Sequence, residues 1–141
     1  MKLPDINVLL HAVDSTHEKH LTAKHWLEAA LTEQDGVGFA WLVLLGFVRI
    51  STRKGILSHP LSVATALSVM DEWLSHPKAR VMAPGERHAD ILARLLLAAG
   101  TAGNLTSDAH LAALAIEHHA EIGSFDRDFK RFSGLKFQLL T

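Results

Sequence analysis

Five short apolar segments that suit β-strands alternate along this chain with longer segments that suit helices. The strand-like segments are residues 3–6, 37–40, 80–83, 121–124 and 136–140. Strands separated by helices are joined by crossovers that leave the strands parallel and the sheet covered by helices. The alternation therefore predicts a three-layer α/β/α fold, in which a central, mainly parallel sheet is flanked by helices.

The segments between the strands carry apolar residues at helical spacing. Residues 41–51 are apolar nearly all round, which suits a buried helix or a continuation of the preceding strand, and their length favours the helix. Asn7, Ser62 and either Thr106 or Ser107 are predicted to cap helices, because their side chains accept hydrogen bonds from the first helical turn. The predicted helices cover about residues 8–12, 19–31, 41–51, 64–74, 86–99 and 108–119, with a helical turn at 126–132.

The composition is that of one globular domain, residues 1–141, with 48% hydrophobic and 21% charged residues. The absence of cysteine excludes disulfides and cysteine-based zinc sites, and it suits a cytoplasmic protein. No secretory leader is visible and the longest apolar stretch, residues 37–50, is too short to cross a bilayer, so no membrane association is expected. With a net charge of −1, the chain as a whole is not basic, so any surface that binds nucleic acid must be a local basic patch.

Four aspartates stand at junctions between predicted strands and helices. Asp5 follows the first strand, Asp108 opens a helix, and Asp126 and Asp128 follow the fourth strand. In an open α/β sheet, ligands bind outside the carboxyl ends of the strands, where such junctions meet. Carboxylates gathered there make a site for a hard cation, so the four aspartates predict metal-assisted chemistry.

Each aspartate also has a purely structural explanation. Asp5 is a favoured N-cap residue, and a negative charge at Asp108 suits the first turn of a helix. Asp126 and Asp128 fit a charged surface turn, although Phe125 and Phe129 on either side would hold that turn against the core. The combination of the four residues is therefore more specific than any one of them.

Three segments together resemble the PIN-domain family, most closely its VapC ribonucleases, the toxins of toxin–antitoxin pairs. They are Pro-Asp-Ile-Asn-Val-Leu-Leu at residues 4–10, the run from Gly103 to Ala115 around Asp108, and Ser-Phe-Asp-Arg-Asp-Phe at residues 124–129. Residues 45–52, Leu-Gly-Phe-Val-Arg-Ile-Ser-Thr, also fit that branch. The resemblance extends over essentially the whole chain.

The resemblance implies an endoribonuclease that uses Mg²⁺, with Mn²⁺ as a possible substitute, to cut single-stranded regions of tRNA or rRNA and so inhibit translation. Asp5 would be the first acid of the site, Asp108 the third and Asp126 the fourth, with Asp128 as its helper or substitute. Asp5, Asp108 and Asp126 would bind the metal directly or through water. The resemblance also implies a homodimer and a small VapB-type antitoxin that blocks the site.

One position departs from the family pattern. Many PIN domains carry a glutamate in the helix after the second strand, where this chain has Gly46, and no acid occurs between Gly36 and Asp71. Either fewer carboxylates suffice, or another acid takes its place, or activity is reduced. The candidate replacements, each better explained as a surface residue, are Asp14, Glu18 and Glu86. Fewer acids favour one metal ion over two.

Basic residues follow two of the segments that carry the resemblance, and they are the candidates for contacts with RNA phosphates. The strongest candidate is Arg49, at the end of the predicted buried helix. That helix is followed by Arg53 and Lys54. Arg127, Lys130 and Arg131 lie in and after the acidic turn. An ordinary solvated face explains these residues equally well.

Two other functions compete with the ribonuclease hypothesis. The missing glutamate suggests a PIN-fold binding or regulatory protein with reduced or no nuclease activity. The Asp-Arg-Asp triplet suggests a metal-dependent phosphatase. Phosphatases with an Asp-x-Asp nucleophile carry it at the first strand, however, where this chain has Asp5 followed by Asn7, which disfavours this third hypothesis.

Overall fold

A computed structural model describes all residues, 1–141, and contains one five-stranded sheet and six α-helices. The strands are β1 (Lys2–Pro4), β2 (Val37–Ala40), β3 (Ala79–Met82), β4 (Glu121–Ser124) and β5 (Lys136–Leu139). The helices are α1 (Ile6–Val13), α2 (His20–Thr32), α3 (Trp41–Ser51), α4 (Val63–Leu74), α5 (His88–Ala99) and α6 (Thr106–Glu117). Short 3₁₀ turns cover Gly103–Leu105 and Arg127–Arg131.

All neighbouring strands are parallel, and their order is β3-β2-β1-β4-β5. Helix α1 contacts both α2 and α3, α3 contacts α4, and α5 packs against α6. Right-handed crossovers place α1–α4 on one face and α5 and α6 on the other, because the direction of strand addition reverses after β3. The predicted three-layer α/β/α fold is confirmed.

The predicted elements are confirmed, and the differences lie at their ends. Residues 41–51 form a helix, and Ser62 caps α4 by accepting a hydrogen bond from the Thr65 amide. Two capping predictions are wrong. Asp5, rather than Asn7, caps α1, because that helix begins two residues earlier than the apolar pattern indicates. Helix α6 begins at Thr106 without a side-chain cap, because the preceding 3₁₀ turn leads directly into it.

The core lies between the sheet and the two helical layers. Its largest fully buried side chains include Leu3, Phe39, Phe47, Ile122 and Phe129, which come from three strands, one helix and one 3₁₀ turn. Burial of side chains of this size contributes roughly 2 kcal/mol each. The packed core therefore holds the strands, and the residues at their ends, in fixed positions. None of the helices is long and apolar enough to cross a membrane.

The strand order creates a crevice between β1 and β4. The chain adds β2 and β3 on one side of β1 and then adds β4 and β5 on the other, so the order reverses between β1 and β4. The register pairs Pro4 with Gly123, which sets the next residues, Asp5 and Ser124, side by side at the carboxyl edge. Ligands of open α/β sheets bind at such a reversal.

Candidate active site

Asp5 is fixed at the carboxyl end of β1 by hydrogen bonds to both of its carboxylate oxygens. Oδ1 accepts from the Ile6 amide at 2.8 Å, and Oδ2 accepts from the Ser124 hydroxyl at 2.7 Å. Burial raises the pKa of Asp5 above its usual value, the two hydrogen bonds lower it, and the charge of Asp126 raises it further. Each oxygen keeps a free lone pair, so Asp5 remains able to bind a cation.

Ser124 links the carboxyl ends of β1 and β4. Its fully buried hydroxyl donates to Asp5 and accepts from the Asp126 amide at 3.0 Å and from the Asn7 side-chain nitrogen at 3.2 Å. The side-chain oxygen of Asn7, Oδ1, in turn accepts a hydrogen bond from the Phe125 amide at 3.3 Å. Sequence analysis missed the roles of Ser124 and Asn7. The only signal for them in the sequence is their position: Asn7 directly follows the first predicted strand, and Ser124 ends the fourth.

Asp108 faces the same crevice from the other helical layer. A crossover helix returns antiparallel to the strand after it, so the first turn of α6, which contains Asp108, lies at the carboxyl edge of the sheet. Burial, and then the charges of Asp5, Asp126 and Asp128, together raise the pKa of Asp108 to about 6, while Arg131 opposes the rise. The Asp108 carboxylate accepts no hydrogen bond, which leaves its oxygens free.

Asp126 and Asp128 occupy different positions in the acidic turn. Asp126 is partly buried and caps the 3₁₀ turn, because its Oδ1 accepts from the Asp128 amide at 2.9 Å. Asp128 is exposed. Of the two, only Asp126 perturbs the pKa of Asp5, so Asp126 lies on the Asp5 side of the crevice. The geometry thus favours Asp126 as the fourth acid, although its role stays a prediction.

The four carboxylates do not form a compact metal cage, although burial and the charges of Asp5, Asp126 and Asp128 together raise the pKa of Asp108. No group of three or more histidine, aspartate or glutamate side chains is close enough to hold one ion directly. Mg²⁺ does not need such a group, since it keeps several water ligands and uses one or two carboxylates. The oxygen-only donor set and the mutual repulsion at Asp108 fit a hydrated Mg²⁺ or Mn²⁺.

A shallow pocket of about 350 Å³ opens beside Asp108. Asp108, Asp128 and Arg131 line its charged side. Residues 101–105 supply the opposite wall through Thr101, Ala102, Asn104 and Leu105. Thr101 and Asn104 were not singled out by sequence analysis, because a Thr-Ala-Gly-Asn loop carries no specific signal.

The predicted RNA-contacting residues Arg49, Arg53, Lys54 and Arg127 are all exposed, and none forms an ion pair. Arg127 opens the 3₁₀ turn between Asp126 and Asp128, so it is adjacent to the acids. Arg49 lies in the last turn of α3. These four side chains are therefore free to contact phosphates.

Gly46 lies in tight contact with the start of α1. A Cβ atom at this position would overlap Ile6 Cδ1, the end of a flexible side chain, so a larger residue needs the Ile6 side chain to move. None of the candidate replacements, Asp14, Glu18 and Glu86, is among the groups that shift the pKa of Asp5 or Asp108. The acids that do shift these pKa values are all aspartates.

Comparison with known proteins identifies the family. The PIN-domain model matches residues 2–135. The chain is 50% identical over 137 residues to Ribonuclease VapC37 of Mycobacterium tuberculosis, covering 97% of this chain and 95% of the relative. It is 42% identical over 137 residues to Ribonuclease VapC33 of the same organism, covering 97% of this chain and 96% of the relative.

Solved structures give the same fold. VapBC2 from Rickettsia felis bound to a promoter DNA fragment superposes with a TM-score of 0.73 at 18% identity, covering 99% of this chain and 98% of the other. Mycobacterium tuberculosis VapC20, a sarcin-ricin loop cleaving toxin, gives a TM-score of 0.69 at 19% identity, covering 96% and 99%. This chain belongs to the PIN-domain family, and within it to the VapC ribonucleases.

Proposed function

We propose that this protein is an endoribonuclease toxin that cuts single-stranded regions of structured RNA, tRNA or rRNA, and so inhibits translation. The observation that carries the proposal is the placement of Asp5, Asp108 and Asp126 at the reversal of strand order, where burial and the charges of Asp5 and Asp126 raise the pKa of Asp108. The extended similarity to Ribonuclease VapC37 supports the same activity.

Cleavage is proposed to depend on Mg²⁺, with Mn²⁺ as a substitute, held by Asp5, Asp108 and Asp126 directly or through water. A bound divalent cation supplies an activated water and neutralises charge on the phosphoryl oxygens and the leaving group. Asp5 contributes an oriented carboxylate, because Ser124 and Ile6 fix both of its oxygens. Preorganised groups of this kind avoid reorganisation during the reaction.

Asp108 and Asp126 have different parts in this scheme. Asp108 accepts no hydrogen bond, so its oxygens would be available to hold the cation or to accept a proton from the attacking water. Asp126 is oriented by its bond to the Asp128 amide, which uses Oδ1 and leaves Oδ2 without a hydrogen bond. Asp128, which is exposed, is proposed as a helper that adds negative charge at the rim.

A VapB-type antitoxin is the proposed partner, since several fold neighbours are VapBC complexes. A homodimer is proposed as well, in the cytoplasm. The apolar side chains available for these contacts are exposed on the early helices: Leu21 is 61% exposed, Trp41 49% and Leu45 61%. Exposed apolar side chains of this size are common at protein interfaces.

The test is digestion of tRNA and of rRNA fragments with Mg²⁺, with Mn²⁺ and with a chelator. Wild type is expected to cut with either metal and to lose activity with the chelator. Asp5→Asn and Asp108→Asn are expected to lose cleavage, whereas Asp71→Asn, which changes an exposed acid on α4, keeps it. Absence of cleavage by wild type, or equal cleavage by the two site variants, would contradict the ribonuclease proposal.

A PIN-fold binding protein with reduced or no nuclease activity is the second candidate. Gly46 favours it, because the glutamate of the family pattern is absent at that position. The same experiment separates the two functions. RNA that binds to wild type but stays intact with both metals would support the binding protein.

A further inference from the structure

A cleft of about 400 Å³ lies between α5 and the segment that follows the acidic turn. Arg94 on α5 and Arg131 at the end of the 3₁₀ turn lie at its polar side. The remaining lining is mostly apolar and consists of Leu95, Ala98, Ala99, Phe132 and Ser133. Two guanidinium groups beside an apolar wall match the two chemical parts of a nucleotide, its phosphate and its base or ribose.

Both arginines are free to bind an anion. Each side chain is exposed, and neither forms an ion pair with an acid of this chain. Arg94 Nη1 donates to the Ser133 carbonyl oxygen at 3.3 Å, which holds the side chain across the cleft and leaves its other donors unused. A guanidinium whose position is already fixed loses less entropy when it binds a phosphate.

The cleft adjoins the candidate active site. Arg131 lines it and also lines the pocket that contains Asp108 and Asp128. Arg131 is near enough to Asp108 to lower the pKa of that carboxyl against the other shifts. A strand whose scissile phosphate lies at the aspartates therefore has Arg131, and beyond it Arg94, as its neighbouring cations.

We propose that this cleft is a second nucleotide subsite, an inference that rests on the ribonuclease function proposed above. Arg94 and Arg131 bind the backbone phosphate of a nucleotide next to the cleavage position. The exposed part of the apolar wall, Ala98 and Ala99, contacts its ribose or base. Arg94 was not among the candidate residues from the sequence, because it is a lone arginine in a leucine-rich helix and far along the chain from the acids.

Binding can be measured separately from cleavage in the Asp108→Asn background. The probe is a short fluorescein-labelled single-stranded RNA of mixed sequence, followed by fluorescence anisotropy over a range of salt concentrations. Arg94→Gln is expected to weaken binding about tenfold, in line with the loss of a charge-assisted hydrogen bond. The slope of log Kd against log salt is expected to fall by about 0.7, the value for one contact with a single strand.

Two further variants separate a phosphate contact from a structural effect. Arg94→Lys keeps the charge but loses the two-pronged geometry, so it is expected to restore the salt slope and part of the affinity. Arg80→Gln is the matched control, because Arg80 is exposed and lies with Met1 and His119 at the opposite end of the sheet. Circular dichroism of Arg94→Gln checks that loss of the bond to Ser133 leaves the fold intact.

The outcomes distinguish the two proposals. If wild type cuts RNA while Arg94→Gln and Arg131→Gln bind with unchanged affinity and salt slope, the subsite is wrong and the ribonuclease stands. An equal loss of affinity in Arg80→Gln would likewise overturn the subsite, since it would indicate a diffuse charge effect. If wild type neither cuts nor binds RNA, both proposals are wrong.

Discussion

Replacing Asp108 by asparagine is expected to stabilise the metal-free protein while removing RNA cleavage. The Asp108 carboxylate is partly buried, accepts no hydrogen bond and lies near three other acids, so its ionised form is disfavoured in the folded state. Asparagine has nearly the same shape and no charge. The variant therefore removes the repulsion without leaving a cavity.

The size of the effect follows from the pKa of Asp108. The rise from 3.8 to about 6 is about two units, which corresponds to an upper limit of about 3 kcal/mol for the ionised group. The carboxyl is partly exposed, so solvent screening lowers this to about 1.5 kcal/mol. Loss of a negative charge from the first turn of α6 costs about 0.5 kcal/mol. The net gain is about 1 kcal/mol, or about 3 °C in Tm for a chain of this length.

The gain has a definite pH dependence. The folded-state pKa lies above the unfolded one, so the folded protein binds more protons between about pH 4 and pH 6 and loses stability as the pH rises through that window. Above about pH 6 the penalty on the wild type is complete, and the advantage of Asp108→Asn is largest. Below about pH 4 the carboxyl is protonated in both states and the advantage disappears.

The assay is thermal unfolding followed by circular dichroism in a chelator, at about pH 7 and about pH 4. Asp71→Asn, at an exposed site, is the control and is expected to match wild type at both values. The reasoning is refuted if Asp108→Asn is no more stable than wild type near pH 7. It is refuted as well if the two proteins differ equally at both pH values.

Three further perturbations test other parts of the site. Ser124→Ala removes the buried hydroxyl that holds Asp5, and it is expected to cost about 1–3 kcal/mol in the free energy of unfolding, measured with urea, and to lower cleavage at least tenfold. Gly46→Glu restores the usual family acid, but its side chain overlaps Ile6, so the variant is expected to lose about 1–3 kcal/mol in the free energy of unfolding. The double variant with Ile6→Ala is expected to regain part of that loss. Added Mg²⁺ is expected to raise the Tm of wild type but not that of Asp108→Asn, because only a ligand that binds the folded state stabilises it. An equal rise in both would indicate that the ion binds elsewhere.

Strand positions were predictable from sequence, and the details of the site were not. Residues 37–40 and 121–124 are short apolar runs bounded by turn signals, and the structure places β2 and β4 at those positions. The start of α1 was misplaced because Asp5 and Asn7 are both good capping residues. Ser124, which is 119 positions from Asp5 and 117 from Asn7, contacts both side chains, so the long-range register rather than the local sequence decides which of them is the cap. Neither local propensity nor periodicity contains that information.

The missing pieces of the site share this physical cause. Ser124 is an ordinary polar residue at the end of a strand until the register of β1 on β4 sets it beside Asp5. Arg94 is an ordinary exposed residue until α5 packs beside the segment after the acidic turn. The aspartates were recognisable because several unpaired carboxylates at strand ends are unusual, whereas one serine or one arginine is not.

The charge at the crevice also bears on the number of metal ions. Burial, together with the other three aspartates, raises the pKa of Asp108 to about 6, so the site takes up a proton only at mildly acid pH and is mostly ionised at neutral pH. One divalent cation therefore relieves much of the repulsion. A second cation needs a further carboxylate, and the position on α3 where the family pattern has glutamate is Gly46, which lies against Ile6. We predict that titration with Mn²⁺, followed by electron paramagnetic resonance, gives one tight site per chain that Asp108→Asn weakens. Two equivalent tight sites in wild type would show that groups outside the four aspartates complete the centre.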